Sequence, residues 1–272
     1  MILTPGASSG GAYAPGKGQS LPAVDDRLVA PEAHAQVIDG RLIRTMGSNP
    51  PHATRHFEAA HVFAGVLAEG YEGAVDMLTR ADENTDAAPD ISVFPSGIDP
   101  STGGRRIEEV AVEVLDTERL GHATEKVKKL AARGVRRLFC VKVSTRRVYE
   151  WSHDHGDWEQ LEVDASIEDR CFRVAIPVGA LVDRVLADDT VARALLASRN
   201  RVIEGAIREG RAEGEARAMG ESLLRVLARR GVTIDDATRA RVRACRDVPT
   251  LESWIDRAAT ATQAAEVFDI TE

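Results

Sequence analysis

An acidic residue stands inside an otherwise apolar strand pattern near the middle of the chain. In the segment EEVAVEVLD, valine recurs at every second position, as on one buried face of a β-strand. Glu113 falls on the other face of that strand, which a central strand also buries. Burying an unpaired carboxylate costs on the order of several kcal/mol, so it needs a cation, a hydrogen-bond network or a proton. The pattern therefore requires a buried strand with a charge-compensating partner beside it.

A second acid opens the preceding strand pattern. Asp90 follows Pro89 and begins the apolar segment DISVFP. Pro-Asp is a common turn pair, so Asp90 alone would favour a structural role. Together with Glu113 on an adjacent strand it favours metal binding, because a hard divalent cation neutralises two carboxylates at once. We predict one Mg²⁺ site, which Mn²⁺ also fits, at Asp90 and Glu113.

Several pieces around these acids recur in the order seen in a known family. Pro89-Asp90 is followed by Val112-Glu113-Val114-Leu115, by Lys126 on a basic helix, and by Gly134-Val135 leading into the strand RRLFCVKV. With the upstream hairpin QVIDGRLIRTM, they resemble the Uma family of the PD-(D/E)XK nuclease superfamily over roughly residues 35 to 185. The resemblance implies a restriction-endonuclease-like α/β fold, with a mixed central sheet flanked by helices. It also implies a Mg²⁺-dependent endonuclease that hydrolyses DNA phosphodiester bonds.

The resemblance assigns roles to individual residues. Asp90, Glu113 and Lys126 form the expected catalytic set. The two acids and the backbone carbonyl of Val114 would hold the metal ion, while Lys126 would orient the attacking water or offset charge in the transition state. His52 matches a histidine frequently found at this place in the family, and we name it as a possible auxiliary residue.

The chain departs from the superfamily pattern at two points. Leu115 stands where the ordinary motif has its lysine, and Asp116-Thr117-Glu118 replaces the family's Ser-Pro-Ser. These departures favour a second hypothesis, a catalytically inactive nuclease-fold protein that acts in nucleic-acid binding or oligomeric assembly. A third hypothesis is that the C-terminal helices make the protein chiefly an oligomerisation subunit.

The charge distribution limits where nucleic acid can bind. A formal net charge of −8 argues against a surface that coats DNA nonspecifically. Between Arg105 and Arg147, however, twelve Lys and Arg accompany six Asp and Glu. Such a cluster is typical either of a solvated helix face or of a phosphate-binding surface. Because it adjoins the candidate acids, we predict phosphate contacts from Arg119, Lys129 and Arg133.

Two helices are predicted to pack on the sheet. The first runs from about Pro51 to Ala68, and we expect its core face to contain Phe57, Ala60, Ala64 and Leu67. His52, His56 and His61 on this helix fit either a solvated face or an auxiliary role. The second helix runs from about Ala123 to Arg133. Between the two helices, GAVDMLTRA and DISVFP read as strands joined by the polar turn DENTDAAP.

Composition divides the chain into four parts. Residues 1–30, rich in Gly, Ser and Pro, predict a flexible N-terminal tail, and 31–187 form the nuclease-like domain. A charged connecting helix is expected over 188–222. A small helical module follows over 223–272, with a predicted core of Leu223, Leu224, Leu227, Val242, Leu251, Trp254 and Ile255. Residues from about 204 to 270 resemble the C-terminal part of recombination-promoting nuclease and transposase proteins.

Other features concern the setting of the protein. No apolar run approaches the roughly 20 residues that span a bilayer, so we expect no membrane partner. The three cysteines, Cys140, Cys171 and Cys245, are far apart and odd in number, which fits the reducing cytoplasm and packing roles. DNA is the expected partner. A homo-oligomer is also expected, with a dimer favoured, because symmetric dimers are the commonest assembly and two sites cut two strands.

Overall fold

The computed structural model describes residues 21–30, 34–44 and 49–268. The chain forms two compact units, divided between Ala194 and Leu195. The strands of the first unit, in chain order, are β1 (Ala35–Ile38), β2 (Arg41–Arg44), β3 (Tyr71–Val75), β4 (Thr79–Asp82), β5 (Thr85–Ala87), β6 (Ile91–Pro95), β7 (Val110–Leu115), β8 (Arg137–Lys142), β9 (Arg147–Ser152), β10 (Asp157–Gln160), β11 (Ser166–Ile167) and β12 (Ile176–Pro177). The helices are α1 (Pro50–Val66), α2 (Gly121–Arg133) and α3 (Arg184–Ala197) in the first part of the chain, then α4 (Arg201–Arg229), α5 (Asp236–Ala244), α6 (Val248–Ala258) and α7 (Ala264–Phe268).

A six-stranded mixed sheet forms the centre of the first unit. Its order is β10-β9-β8-β7-β6-β3. Strands β7 and β8 pair in parallel, and the other neighbours pair antiparallel. Strand β7 is buried along its whole length, as expected for a strand in the middle of a sheet with both faces covered. The predicted α/β class with a mixed central sheet is therefore confirmed.

A second, four-stranded sheet was not expected from the sequence. Its order is β2-β1-β5-β4, so the N-terminal hairpin pairs with strands from the segment between α1 and β6. The prediction of one strand over GAVDMLTRA is wrong, because the chain breaks at Asp76, whose φ is +50°, and continues in the other sheet. The predicted polar turn DENTDAAP likewise contains β5. Short polar strands such as β5 lack the apolar alternation by which strands are recognised.

Helix α1 covers one face of the central sheet. Asn49 caps its first turn by accepting a hydrogen bond from the His52 N–H at 3.0 Å, and two prolines begin the helix. The predicted core face is wrong in part: Phe57 is 77% exposed and Ala64 is also exposed. The residues that α1 buries are Ala59, Val62, Phe63 and Val66.

Helix α2 covers the opposite face. Val127 and Leu130 pack against Ala111 of β7 and Leu138 of β8. The helix ends at Gly134, which has a φ of +111° and donates its N–H to the last turn. A left-handed residue at this place favours glycine and turns the chain directly into β8. The two helices therefore flank the sheet, as predicted.

The N-terminal segment 21–30 packs against this unit. Val24 is buried, and its carbonyl accepts a hydrogen bond from Arg80 N–H at 2.8 Å. The Asp86 carboxylate accepts the N–H groups of Leu28 and Val29. The flexible tail predicted over residues 1–30 is therefore wrong for residues 21–30, and residues 1–20 lie outside the described part of the chain.

The second unit is helical and has a core of its own. Its buried residues include Leu223, Leu224, Leu227, Val242, Leu251 and Trp254, while Ile255 packs against them. This confirms the predicted core. The boundary predicted at residues 222 and 223 corresponds to no break, because both residues lie within the long helix α4. Asp235 and Asp247 cap α5 and α6 by accepting backbone N–H groups.

The cysteines and the hydropathy of the helices were also considered in the sequence. Cys140, Cys171 and Cys245 are free thiols, the first two of them buried. Within the described ranges, no helix has the length and apolar character needed to cross a membrane.

Candidate active site

The two predicted acids meet where β6 begins and β7 ends. The antiparallel register pairs Ile91 with Val112, so the next step along each strand places Asp90 opposite Glu113. Val114 lies beyond the last paired residue of β6. Its N–H instead donates a hydrogen bond to the Asp90 carboxylate, with 2.5 Å between the nitrogen and Oδ2. Asp90 thus has a structural bond as well as a place beside Glu113.

Glu113 lies deep in the sheet and faces α2. Its side chain is 7% exposed, and Oε2 lies 2.6 Å from Lys126 Nζ. The other oxygen, Oε1, is buried without a hydrogen-bond partner in the part of the chain that the structure describes. Leaving a buried acceptor unsatisfied is costly, so this oxygen marks a place where a cation or a proton belongs.

Lys126 extends from α2 into the same site. Besides Glu113, its ammonium donates a hydrogen bond to the carbonyl of Ala88 at 2.8 Å. Its side chain is 13% exposed. Lys128, two residues along the helix, is exposed to solvent. The structure therefore brings Asp90, Glu113 and Lys126 together and separates Lys128 from them.

Burial and neighbouring charges set the protonation of this pair. Burial raises the pKa of Glu113 to about 8; Lys126 opposes the rise and the Asp90 charge adds to it. Burial alone would lower the pKa of Lys126, but the charges of Glu113 and Asp90 outweigh it, so its pKa is raised. The lysine therefore keeps its proton at neutral pH. The Glu113 carboxyl also favours its protonated form there, unless a cation binds beside it.

Two histidines of α1 approach the site from the other side. The His56 ring donates from Nε2 to the Asp90 carbonyl at 2.7 Å. The His52 ring packs edge-on to it, with 6.1 Å between the centroids. Candidate ligand atoms of His52, His56 and Asp90 all lie within 4.8 Å of one another. The structure thus places His52 at the site and adds His56, whereas His61 is exposed and lies 3.8 Å from Asp188.

Asp76 is a site residue that the sequence interpretation missed. It keeps an exposed surface, but desolvation by its neighbours, aided by the Asp90 charge and opposed by His56, raises its pKa. Its N–H donates to the Asp90 carbonyl at 3.2 Å. An aspartate in the middle of an apolar segment was the available signal, because aspartate tolerates the positive φ found at strand breaks.

The donor set fits a hard divalent cation. Asp90 and Glu113 supply carboxylate oxygens, and one oxygen of Glu113 is buried and unsatisfied. The N–H of Val114 points to Asp90. In an extended strand the C=O of a residue points to the same side as its N–H, so the Val114 carbonyl is also available on that side. Oxygen ligands of these kinds are those that Mg²⁺ prefers.

The predicted phosphate contacts differ in their surroundings. Arg119 is exposed, and its side chain has no partner among the described residues. Lys129 forms ion pairs with Asp39 and with Asp82, the latter at 3.0 Å. Arg133 is half-buried and donates to the carbonyl of Pro22. Of the three, only Arg119 reaches solvent without giving up a protein partner.

One family model matches the part of the chain that contains this site. The Uma2 family model, described as "Putative restriction endonuclease", matches residues 21–178, which is more than half of the chain. A solved structure of "a putative nuclease belonging to DUF820 from Anabaena variabilis ATCC 29413" has 15% sequence identity and a TM-score of 0.47. That match covers 59% of this chain and 94% of the other. No curated protein matches.

The comparisons bear differently on the two resemblances. Residues 204–270 lie outside the family match, and the resemblance to recombination-promoting nuclease and transposase proteins is not supported. The match does include the strands and helices that carry Asp90, Glu113 and Lys126. The chain belongs to the Uma2 family, described as "Putative restriction endonuclease".

Proposed function

We propose that this protein is a metal-dependent endonuclease that hydrolyses phosphodiester bonds in DNA. The observation that carries the proposal is the environment of Glu113, a buried carboxylate with one unsatisfied oxygen, a lysine on the other and Asp90 opposite. Asp90 and Glu113 are adjacent carboxylates, and they repel each other unless a cation lies between them. Membership of the Uma2 family agrees with this chemistry.

Three groups would hold the cation. We assign Asp90, Glu113 and the carbonyl of Val114 as ligands to Mg²⁺, with Mn²⁺ as a substitute. When bound, such an ion supplies Lewis-acid charge neutralisation for a phosphoryl oxygen. Glu113 Oε1 would gain a partner on binding such an ion, and the repulsion between the two carboxylates would fall.

Lys126 acts on the reacting groups. Its pKa is raised by the neighbouring acids, so it remains an ammonium through the neutral pH range. A fixed positive charge in a partly desolvated site stabilises the negative charge that develops on phosphate in the transition state. Lys126 also orients water through its N–H groups, because among the described residues two acceptors, Glu113 and Ala88, are bonded to it.

Arg119 positions the DNA backbone. It is exposed, unpaired among the described residues, and lies in the loop that links β7 to α2. An arginine of this kind binds phosphate through several N–H groups. Contacts from Lys129 and Arg133 stay predictions, and they require these side chains to leave Asp82 and Pro22.

Nicking of supercoiled plasmid by the purified full chain tests the proposal. Wild type should nick DNA with Mg²⁺ or Mn²⁺ and not with EDTA. Asp90→Asn and Glu113→Gln should each lose cleavage, since each removes a charge that holds the ion and keeps the side-chain volume. Lys126→Ala should lose cleavage through the chemical step, whereas Lys128→Ala, on an exposed residue of the same helix, should stay active.

The opposite results have definite meanings. If wild type does not nick DNA under any of these conditions but still binds it, the inactive nuclease-fold alternative replaces this proposal. If Lys128→Ala is inactive while Lys126→Ala cuts normally, the catalytic lysine is assigned wrongly. Circular dichroism and thermal melting of each variant separate lost chemistry from lost folding.

A further inference from the structure

We infer that His52, His56 and Asp90 form a second cation position, adjoining the first and selective for divalent ions that accept imidazole ligands, such as Zn²⁺ and Mn²⁺. The inference shares Asp90 with the proposed function but does not depend on DNA cleavage. It gives Asp90 two neighbours of different chemistry: Glu113 on one side and two imidazoles on the other.

The two histidines are fixed on one face of α1. They are four positions apart, so their side chains lie one above the other on the helix. Asn49 caps the N-terminus of the helix through the His52 N–H, which fixes the backbone at this point. Both rings are half-buried, and their nitrogens lie with an Asp90 oxygen inside a 4.8 Å cluster. To bind zinc, three such atoms would have to approach one ion to the bond lengths of about 2.0–2.2 Å found at zinc sites.

The ligand atoms are available for an ion. Neither ring nitrogen of His52 has a hydrogen-bond partner in the described chain, although the ring is half-buried. Asp90 uses Oδ2 to accept the Val114 N–H, so Oδ1 is left for another ligand. The His56 ring is held by its bond to the Asp90 carbonyl. Hydrogen bonds from a ring N–H to a carbonyl are how metal-binding histidines are usually oriented.

The surrounding charge favours a cation at this position. Asp76 interacts electrostatically with both histidines and with Asp90, and Glu118 interacts with His52. Lys126, a positive group that also acts on Asp76, is directed to Glu113. An ion between the imidazoles and Asp90 would therefore be bound by neutral nitrogens within a negative field.

Ligand type distinguishes the two positions. Oxygen-only ligands at Asp90, Glu113 and Val114 suit Mg²⁺, which seldom takes imidazole. Imidazole suits zinc and other first-row transition metals, while Mn²⁺ accepts both kinds of donor. We therefore expect Mg²⁺ to fill one position and Mn²⁺ to fill two.

In a second cluster of possible ligands, the side chains are already bound to protein partners. Glu109, Asp169 and Cys171 also bring donor atoms within 4.8 Å of one another. Arg136 and Arg170 already bind Glu109, and Arg136 also binds Asp169 at 2.7 Å. Burial raises the pKa of the Cys171 thiol to about 12, so no thiolate forms at neutral pH. That cluster is an ion-pair network, in contrast to the unpaired His52 ring.

Calorimetry with the full chain tests the inference. Wild type should bind one Mg²⁺ and two Mn²⁺ per chain. His52→Ala and His56→Ala should each bind one Mn²⁺ and retain the Mg²⁺ site, because the oxygen ligands remain. His61→Ala, on the same helix but exposed, is the matched control and should bind two Mn²⁺. Spectra of the histidine rings should show Zn²⁺-dependent shifts for His52 and His56 and none for His61.

The results separate this inference from the proposed function. Glu113→Gln should keep the histidine-dependent Mn²⁺ and lose the other ion, whether or not the wild type cuts DNA. One Mn²⁺ per wild-type chain, unchanged in folded His52→Ala and His56→Ala, would overturn the inference and leave the nuclease proposal standing. Because the His52 ring makes no hydrogen bond in the described chain, His52→Ala remains a fair test even if His56→Ala fails to fold.

Discussion

Glu113 is central both to the proposed metal binding and to the pH dependence of stability. Its pKa is raised from an ordinary value of 4.5 to about 8, chiefly by burial. Between those values the folded chain holds a proton that the unfolded chain has released. Stability is then lost as pH rises, at about 1.4 kcal/mol for each pH unit in that window.

We predict a fall in the unfolding free energy of the metal-free protein from pH 6 to pH 8. Glu113→Gln should flatten this fall, because glutamine has no proton to lose. Lys126 contributes no slope there, since its pKa is raised above its ordinary value of 10.5. Urea unfolding at several pH values in EDTA measures the effect.

A matched control is available at Glu118. Its pKa is lowered by hydrogen bonds from backbone N–H groups, so its contribution to stability is lost only in acid. Glu118→Gln should therefore keep the slope between pH 6 and pH 8. Equal slopes in wild type and Glu113→Gln would show that Glu113 is not held protonated by burial.

At the scale of elements, strongly patterned segments were predictable and irregular ones were not. The valine alternation of β7 and the Pro-Asp start of β6 correctly predicted that Asp90 and Glu113 belong to adjacent strands. The segment from β3 to β5 was misread because Asp76 redirects the chain in a left-handed conformation that no periodicity reports. On α1 the exposed Phe57 shows that hydrophobicity alone does not identify the buried face.

The sequence predicted the excess of positive charge on and before α2, but it did not predict which of these side chains form ion pairs. Lys129 is satisfied by Asp39 and Asp82, residues that are distant in sequence. Long-range ion pairs of this kind leave no local pattern in a single sequence. The loop residue Arg119 is left as the available cation in this region.

We predict that Arg119→Ala weakens DNA binding and lowers its salt dependence. Loss of one phosphate contact should reduce the slope of log affinity against log salt by about 1, for all DNA sequences alike. Lys129→Ala should instead lower thermal stability, because Asp39 and Asp82 lose their partner. Fluorescence anisotropy in EDTA, between roughly 50 and 200 mM salt, measures the slopes.

The opposite effects on salt dependence would support the phosphate contacts predicted from sequence for Lys129 and Arg133. If Lys129→Ala and Arg133→Ala flatten the salt dependence while Arg119→Ala does not, DNA lies along α2 and displaces the partners of those side chains. Binding that is independent of salt in all variants would contradict phosphate contacts from this region altogether.

At the scale of the whole molecule, the start of α4 is a segment without buried residues. Residues 201–215 are exposed or half-buried throughout, and Ala216 is the first buried residue. A Cβ added at Gly205, Gly210 or Gly214 would meet nothing within 4 Å. Such a glycine-containing helix is marginal in water without a partner. The sequence pattern predicted an exposed, charged helix here, but it placed a domain boundary at residues 222 and 223, within α4.

We predict that this helix contributes to self-association. A chain ending at Asn200 should have fewer copies per particle than the full chain, for which a dimer is expected. Light scattering coupled to size-exclusion chromatography gives the mass of each, corrected for the deleted residues. The same number of chains per particle in both would assign association to another surface or exclude it.

The central claim is that Asp90 and Glu113 share one ion and that Lys126 acts beside it. Calorimetric titration of Mg²⁺ into four forms of the protein tests this claim most directly. Wild type and Lys126→Ala should bind one Mg²⁺ per chain, because Lys126 is not a ligand. Asp90→Asn and Glu113→Gln should show no binding while remaining folded. Mg²⁺ binding that survives in both acid variants, or that is absent from the wild type, would contradict the claim.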